Sequence, residues 1–503
     1  MFGTGGWDGL RERVGDLLPE GSLRARFAKG TFWALAGVVA SYALMLAASA
    51  IVARVFDDRA LYGELGVIRN TLATFGVFAG LGLGLTATKH VAELRRVDPA
   101  RAGRILRLTF VAAGVSAAPV ALACLATAPW ITRFLNAPST MVNSLRIGSV
   151  VLLFETLNGA QTGALAGFEA FRTSSAINVL RGLLMLPLMV AGAKLRGVEG
   201  AVAGMAVASA FGWAANRVAL RRLMRRDGIP RAAFRDLRDE LRVIWGFVLP
   251  TYLGGALWVL APLAASAVLL NAMGQKEGYA AQGLFFAANQ WQFPVTLIPA
   301  QLSLVLIPML SSLRGPQAAA RRERLSGAAH LAILLTVLPA AAVLSVLAGW
   351  VMTTVYGPKY TGSEGVWLLR AALFVGGAKA FGMVPDMLLK SRGAMWTSFA
   401  LNLAWAALVV GLVALAGSHD IRRFADSFSV AVALTTVAGL VWCAATGITS
   451  WRLALRIGLD LALLLAFTYG VFFARTLAAQ LAVVGVACAV AAVAALAAWR
   501  RRK

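Results

Sequence analysis

The sequence predicts an all-α polytopic membrane protein with about 14 transmembrane helices, arranged as two pseudo-twofold-related six-helix lobes plus two C-terminal helices. Three observations predict this: long apolar runs through the whole chain, Lys and Arg gathered into alternate connecting loops, and a weak internal repeat.

The chain is 59% hydrophobic and 14% charged, with a mean hydropathy of +0.73, which excludes an ordinary soluble domain. Each apolar run is long enough to cross a hydrocarbon layer of roughly 30 Å as a helix. In that layer the backbone must satisfy its own hydrogen bonds, so helices follow. In the first half the runs cover 31–53, 64–88, 108–131, 141–167, 173–193 and 198–216. In the second half they cover 243–270, 280–313, 327–355, 363–389, 394–416, 424–448, 453–474 and 476–499. The chain thus divides into an N-terminal arm (1–30), a first lobe (31–216), a basic inter-lobe linker (217–242), a second lobe (243–449) and a C-terminal pair of helices with a basic tail (450–503).

Basic residues alternate from loop to loop in a way that places both termini in the cytoplasm of a bacterium, with the helices in its plasma membrane. The same clustering accounts for the formal net charge of +25 and argues for membrane lipids rather than nucleic acid as the partner. The arm carries Arg11, Arg13, Arg24, Arg26 and Lys29 but lacks the apolar core and cleavage site of a signal peptide. In the linker, Phe234, Leu237 and Leu241 recur at helical spacing among arginines, a pattern that suits the cytoplasmic lipid surface or a plain connector. Cys124, Cys443 and Cys488 all fall in apolar segments without paired spacing, so neither a disulfide framework nor a zinc site is expected.

The repeat is seen at a displacement of 224 positions, where Thr173-Ser174-Ser175-Ala176-Ile177-Asn178-Val179 returns as Thr397-Ser398-Phe399-Ala400-Leu401-Asn402-Leu403. The same displacement carries Leu145-Arg146 onto Leu369-Arg370 and Glu155 onto Lys379. Nearer the start, Phe32-Trp33-Ala34 matches Ile244-Trp245-Gly246. Related six-helix lobes of parallel orientation enclose a cleft between them.

No Walker loop, HExxH motif or cofactor fingerprint is present, and no catalytic residue or metal site is expected. Gly76, Gly80, Gly82 and Gly84 sit within one apolar span and mark close helix packing or a bend. Charged residues inside spans carry more information, since each costs about 2.5–3.5 kcal/mol at a helix centre unless it finds a partner, a cavity or the interface. These are Arg69, Arg146, Glu155, Arg181, Arg370, Lys379, Asp386 and Asp460. Arg69, Arg146, Arg181, Arg370 and Lys379 are candidates to bind an anionic substrate, the guanidinium fork being suited to phosphate; structural ion pairing is the alternative. Glu155 and Asp386 are candidates to carry a coupling ion, and Glu155 is also placed to pair with Lys379 across the cleft.

The segments Gly30-Thr31-Phe32-Trp33, Tyr62-Gly63-Glu64-Leu65, Gly80-Leu81-Gly82, Thr88-Lys89 and Val91-Ala92-Glu93 resemble the opening of polysaccharide or O-antigen flippases of the multidrug, oligosaccharidyl-lipid and polysaccharide exporter superfamily. The resemblance implies movement of a polyprenyl-pyrophosphate-linked oligosaccharide to the outer leaflet by alternating access. It further implies coupling to H+ or Na+ and no organic cofactor, with a polysaccharide polymerase as a possible neighbour in the pathway. A cation-coupled multidrug exporter or a lipid II flippase of the same superfamily would share the fold. The exporter would favour acids in the first-lobe cavity, where bases predominate here. A membrane glycosyltransferase needs sizeable outer loops, which this chain lacks, and a scaffold would not need the intramembrane charges.

Overall fold

A computed structural model describes residues 23–80, 82–230, 242–313, 317–470, 485–487 and 489–490, and among them every regular element is a helix. The start of the arm, linker residues 231–241 with Phe234, Leu237 and Leu241, and most of the predicted last span with Cys488 lie outside the described residues.

The first lobe comprises α1 (Leu23–Val55), α2 (Arg59–Gly80), α3 (Leu83–Leu94), α4 (Pro99–Phe134), α5 (Met141–Gly167) and α6 (Phe171–Arg226). The second comprises α7 (Arg242–Met273), α8 (Gln275–Asn289), α9 (Gln292–Ser312), α10 (Ala318–Val346), α11 (Ser363–Ser391), α12 (Met395–Leu412) and α13 (Ile421–Ala445), with a π-turn at Met352–Tyr356 and a 3-10 turn at Pro358–Tyr360 before α11. A further helix, α14 (Trp451–Gly470), packs on α10, α11 and α13. Nine described helices are long and apolar enough to cross a membrane, or ten when the bent α2–α3 pair is counted as one.

Local chemistry explains the boundaries. Asp98 accepts a hydrogen bond from the Arg101 amide at 2.9 Å and Pro99 occupies the first turn, so α4 starts there. The α2 and α3 axes differ by 44°, and Gly82 at the junction has φ 62°, a left-handed conformation suited to glycine. Gly84 on α3 meets Gly163 on α5 so closely that a methyl on Gly163 would collide with the Gly84 carbonyl. The glycine-rich segment thus serves both the bend and the close packing.

α6 is a helical hairpin. Arg196 and Gly197 leave helical geometry, and the two arms return antiparallel with Gly192 against Gly200 and Gly204 against Leu188. The two predicted spans here are these two arms, although the second runs on to Arg226, so the first ten linker residues are helical. The predicted single span 280–313 is corrected: it divides into α8 and α9 at Gln290 and Trp291, with Pro294 in the first turn of α9.

Helix order and packing correspond in the two lobes. The second span of each is broken, α1 packs on α6 as α7 does on α12, and α4 packs on α5 as α10 does on α11. Between lobes the main seam is α2 against α8. Backbones approach there because Gly63 faces the Tyr279 carbonyl and Gly283 faces the Arg59 carbonyl.

The seam is sealed at one end by a set of hydrogen bonds. There, the Lys359 ammonium donates to the carbonyls of Phe56 at 3.1 Å and Asp57 at 2.5 Å, and Arg54 donates to the Thr354 carbonyl and to that of Val355 at 2.9 Å. Asn271 donates to the Phe134 carbonyl at 3.0 Å, and the Tyr279 hydroxyl donates to that of Leu135 at 3.2 Å. Tyr360 is buried beneath these contacts, which pushes its phenol far above the ordinary range. Among the described residues, every hydrogen bond between lobes lies at this end or midway along the seam.

Candidate substrate cavity

A cavity of about 600 Å³ opens within the first lobe between α1, α2, α3, α5 and both arms of α6, a size in the range of small-ligand sites. Its walls are mainly methionine, leucine and glycine, and Arg69, Glu155, Arg181 and Ser209 give it charge and polarity.

Glu155 is held in place by the polar seam between α5 and the second arm of α6. One turn along α5, the buried Asn158 donates to the Ser209 carbonyl at 3.0 Å and accepts from Asn216 at 3.2 Å, and Gly212 leaves room beside it. Both Glu155 oxygens are occupied: Oε2 accepts from Arg181 Nη1 at 3.1 Å and Oε1 accepts from the Ser209 hydroxyl at 2.5 Å. Arg69 is different. Its Nη2 lies 3.4 Å from Met45 Sδ and its guanidinium sits 5.3 Å from the centroid of the Phe286 ring, and among the described residues it has no carboxylate partner. Two guanidiniums and one carboxylate leave the cavity with one excess positive charge.

Where the seam meets the cavity, a polar layer joins the lobes. The Gln290 side-chain amide donates to Ser49 Oγ at 2.9 Å and to the Tyr62 hydroxyl at 2.7 Å, while the Tyr42 hydroxyl donates to the Gln290 carbonyl. Of these, Tyr62 stood out in the sequence, within the segment Tyr62-Gly63-Glu64-Leu65; Ser49, Tyr42 and Gln290 carry no charge and no motif to mark them.

The other predicted site residues lie apart. Lys379, in the second lobe, donates to Gln292 Oε1 at 3.1 Å and lies 4.8 Å from the Trp258 ring and 6.0 Å from that of Trp405. It therefore pairs with Gln292, and Glu155 with Arg181, rather than with each other. Arg370 is buried and donates to the Ser345 carbonyl at 3.2 Å. Arg146 is exposed on α5 and does not line the cavity, so equivalent repeat positions give Arg146 and Arg370 different environments. Asp386 accepts from Lys390 at 2.6 Å and from Ser398 at 2.5 Å. Asp460 meets His330 across α10 and α14 at 2.7 Å. Among the described residues, no group of three or more His, Cys, Asp or Glu could hold a metal ion.

Two lobes of matching helix order, sealed against each other at one end, with a charged cavity in the first, define a two-lobed membrane transporter fold. The profile of a family described as "Polysaccharide biosynthesis protein" matches residues 104–364, just over half of the 503 residues, and the chain belongs to that family. It is 24% identical over 353 residues to the EPS I polysaccharide export inner membrane protein EpsE of Ralstonia nicotianae, covering 69% of this chain and 77% of that protein. Among solved structures, the lipid II flippase MurJ in an inward closed conformation superposes with a TM-score of 0.66 at 13% identity, covering 93% of this chain and 97% of that one. An inward-facing multidrug resistance transporter of the MATE family superposes at 0.61 with 16% identity, covering 84% and 95%. At these identities the structural likeness is one of fold.

Proposed function

We propose that this protein is a flippase of the bacterial inner membrane that moves a polyprenyl-pyrophosphate-linked oligosaccharide from the cytoplasmic to the outer leaflet during cell-surface polysaccharide biosynthesis. The observation that carries the proposal is the excess positive charge of the first-lobe cavity, where Glu155 is ion-paired with Arg181 and Arg69 forms no ion pair among the described residues. Membership of the polysaccharide biosynthesis family and similarity to an export protein of the inner membrane support the same reading.

With both termini in the cytoplasm, the sealed end faces outward and the cavity is reached from the cytoplasm. Arg69 and Arg181 hold the pyrophosphate by charge-assisted hydrogen bonds, which are strong where water is scarce. The glycan follows into the cleft between lobes, where Lys379 adds a third cation, and the polyprenyl tail stays in lipid. Glu155 competes with the pyrophosphate for Arg181, so its neutralisation by H+ or Na+ releases that arginine for substrate. Arg370 and Asp386 act in this reading through the helices they tie rather than by touching substrate, and Arg146, exposed on α5, does not touch substrate either. Transport requires that substrate and ion bind the two lobe arrangements unequally. A polymerase of the same pathway would receive the product at the outer leaflet.

Reconstitution tests this. Wild type in proteoliposomes should expose a lipid-linked oligosaccharide to an external glycosidase, and Arg69→Ala with Arg181→Ala should abolish that exposure while the protein stays folded. Export of a cationic dye without glycolipid movement by wild type would replace the proposal with multidrug export.

A further inference from the structure

We infer that Phe286, on α8 of the second lobe, is a positioning residue for the anion site of the first lobe: its ring is the platform on which the Arg69 guanidinium rests, so the site is complete only while the lobes are sealed. This rests on reading the cavity as an anion site.

Arg69 belongs to α2 and lines the first-lobe cavity, yet the aromatic ring over which its guanidinium lies comes from across the seam, 5.3 Å away at Phe286. A guanidinium held over a ring face loses rotational freedom beforehand, and its weak 3.4 Å contact with Met45 Sδ gives way to an oxyanion, so less is lost when the anion binds. Phe286 is itself fixed. It occupies the notch left by Gly66, where a methyl group would come within 2.6 Å of its Cγ, and its centroid lies 5.2 Å from that of Tyr62. The Tyr62 hydroxyl in turn accepts from Gln290 at 2.7 Å, one turn along from Phe286. When α2 and α8 part, Phe286 leaves with α8 and Arg69 is left on a flexible stem.

The anion is therefore held more tightly in the sealed arrangement than in the unsealed one. Loading is strong from the cytoplasmic side, and opening of the outer seam weakens the grip at the moment of release. By linkage, the anion favours the sealed arrangement by the same factor.

The test uses full-length protein with Asn136→Cys and Gln275→Cys, residues of opposite lobes whose atoms approach to 3.5 Å at the sealed end, bridged by a short bis-maleimide. Inorganic pyrophosphate is titrated calorimetrically. Phe286→Leu, which keeps apolar volume but has no π face, should weaken binding roughly five- to thirtyfold in the bridged protein. Phe286→Tyr should restore it. In unbridged protein carrying Gly63→Ala to disfavour the seam, Phe286→Leu should change little. Equal affinity of the bridged parent and its Phe286→Leu variant overturns the platform while leaving the anion site standing. Failure of the bridged parent to bind pyrophosphate overturns the anion site and the platform together.

Discussion

Gly63 and the Tyr279 carbonyl face each other across the seam between lobes with no room for a methyl group. The contact lets two helix backbones meet directly, so a side chain at residue 63 must force them apart. Overpacking of this kind costs about 1–3 kcal/mol, and only the sealed arrangement bears it. Gly63→Ala should therefore populate the unsealed arrangement and speed thiol labelling of a Ser49→Cys reporter. Gly80→Ala, at a position with open space around it, is the control and should label at the parent rate. Identical labelling of the two variants would show that the glycine contact does not hold the seam.

Glu155 occupies Arg181 in the empty cavity. Its carboxylate side chain is 42% exposed, so the pair is worth little in stability, and its effect is on ligand competition. Glu155→Gln should bind inorganic pyrophosphate roughly three- to tenfold more tightly. Translocation should at the same time lose its dependence on the imposed ion gradient. Calorimetry and a gradient-clamped flipping assay read the two effects; a variant that still responds fully to the gradient would remove Glu155 from coupling.

His330 and Asp460 join α14 to α10 through a 2.7 Å contact between side chains that are 1% and 10% exposed. Removing one partner leaves the other buried without compensation, so Asp460→Ala should cost about 2–4 kcal/mol. Replacing both with leucine should cost clearly less than the sum of the single changes. Thermal unfolding of the purified variants provides the cycle, and simple additivity would mean that the two residues do not act as a pair.

Arg54 and Lys359 cap carbonyls of the opposite lobe rather than carboxylates. Both are exposed, so each bond contributes at the low end of about 0.5–1.5 kcal/mol. The double Met variant should shift the sealed population roughly three- to tenfold. Spin-label distances across this end measure the shift. Because the acceptors are neutral, the shift should hardly change between low and high salt, and a strong salt dependence would point to ion pairs in their place.

Much of the architecture was legible because burial in lipid leaves only long apolar runs and costly charges to read. Arg69, Glu155 and Arg181 stood out for that reason and line one cavity. The break at Gln290 and Trp291 was hidden because the apolar run continues through it, with Pro294 as the only local sign. The repeat preserved backbone positions but not surroundings, which is why Arg146 faces outward while Arg370 lies beneath Ser345. Phe286 was illegible for another reason: a phenylalanine in a membrane helix looks like any other until the helix facing it is known.

The interrupted second span of the second lobe has its exposed backbone satisfied from the opposite lobe, since the Tyr42 hydroxyl donates to the Gln290 carbonyl. Within its own lobe that carbonyl keeps only the long 3.4 Å bond from the Phe293 amide, so the lone pair vacated by Tyr42 when the lobes separate is taken up by water. Parting of the lobes is thus a wetting event at the middle of the bilayer, and the hydration of one peptide group ties the motion of the protein to the activity of the water around it.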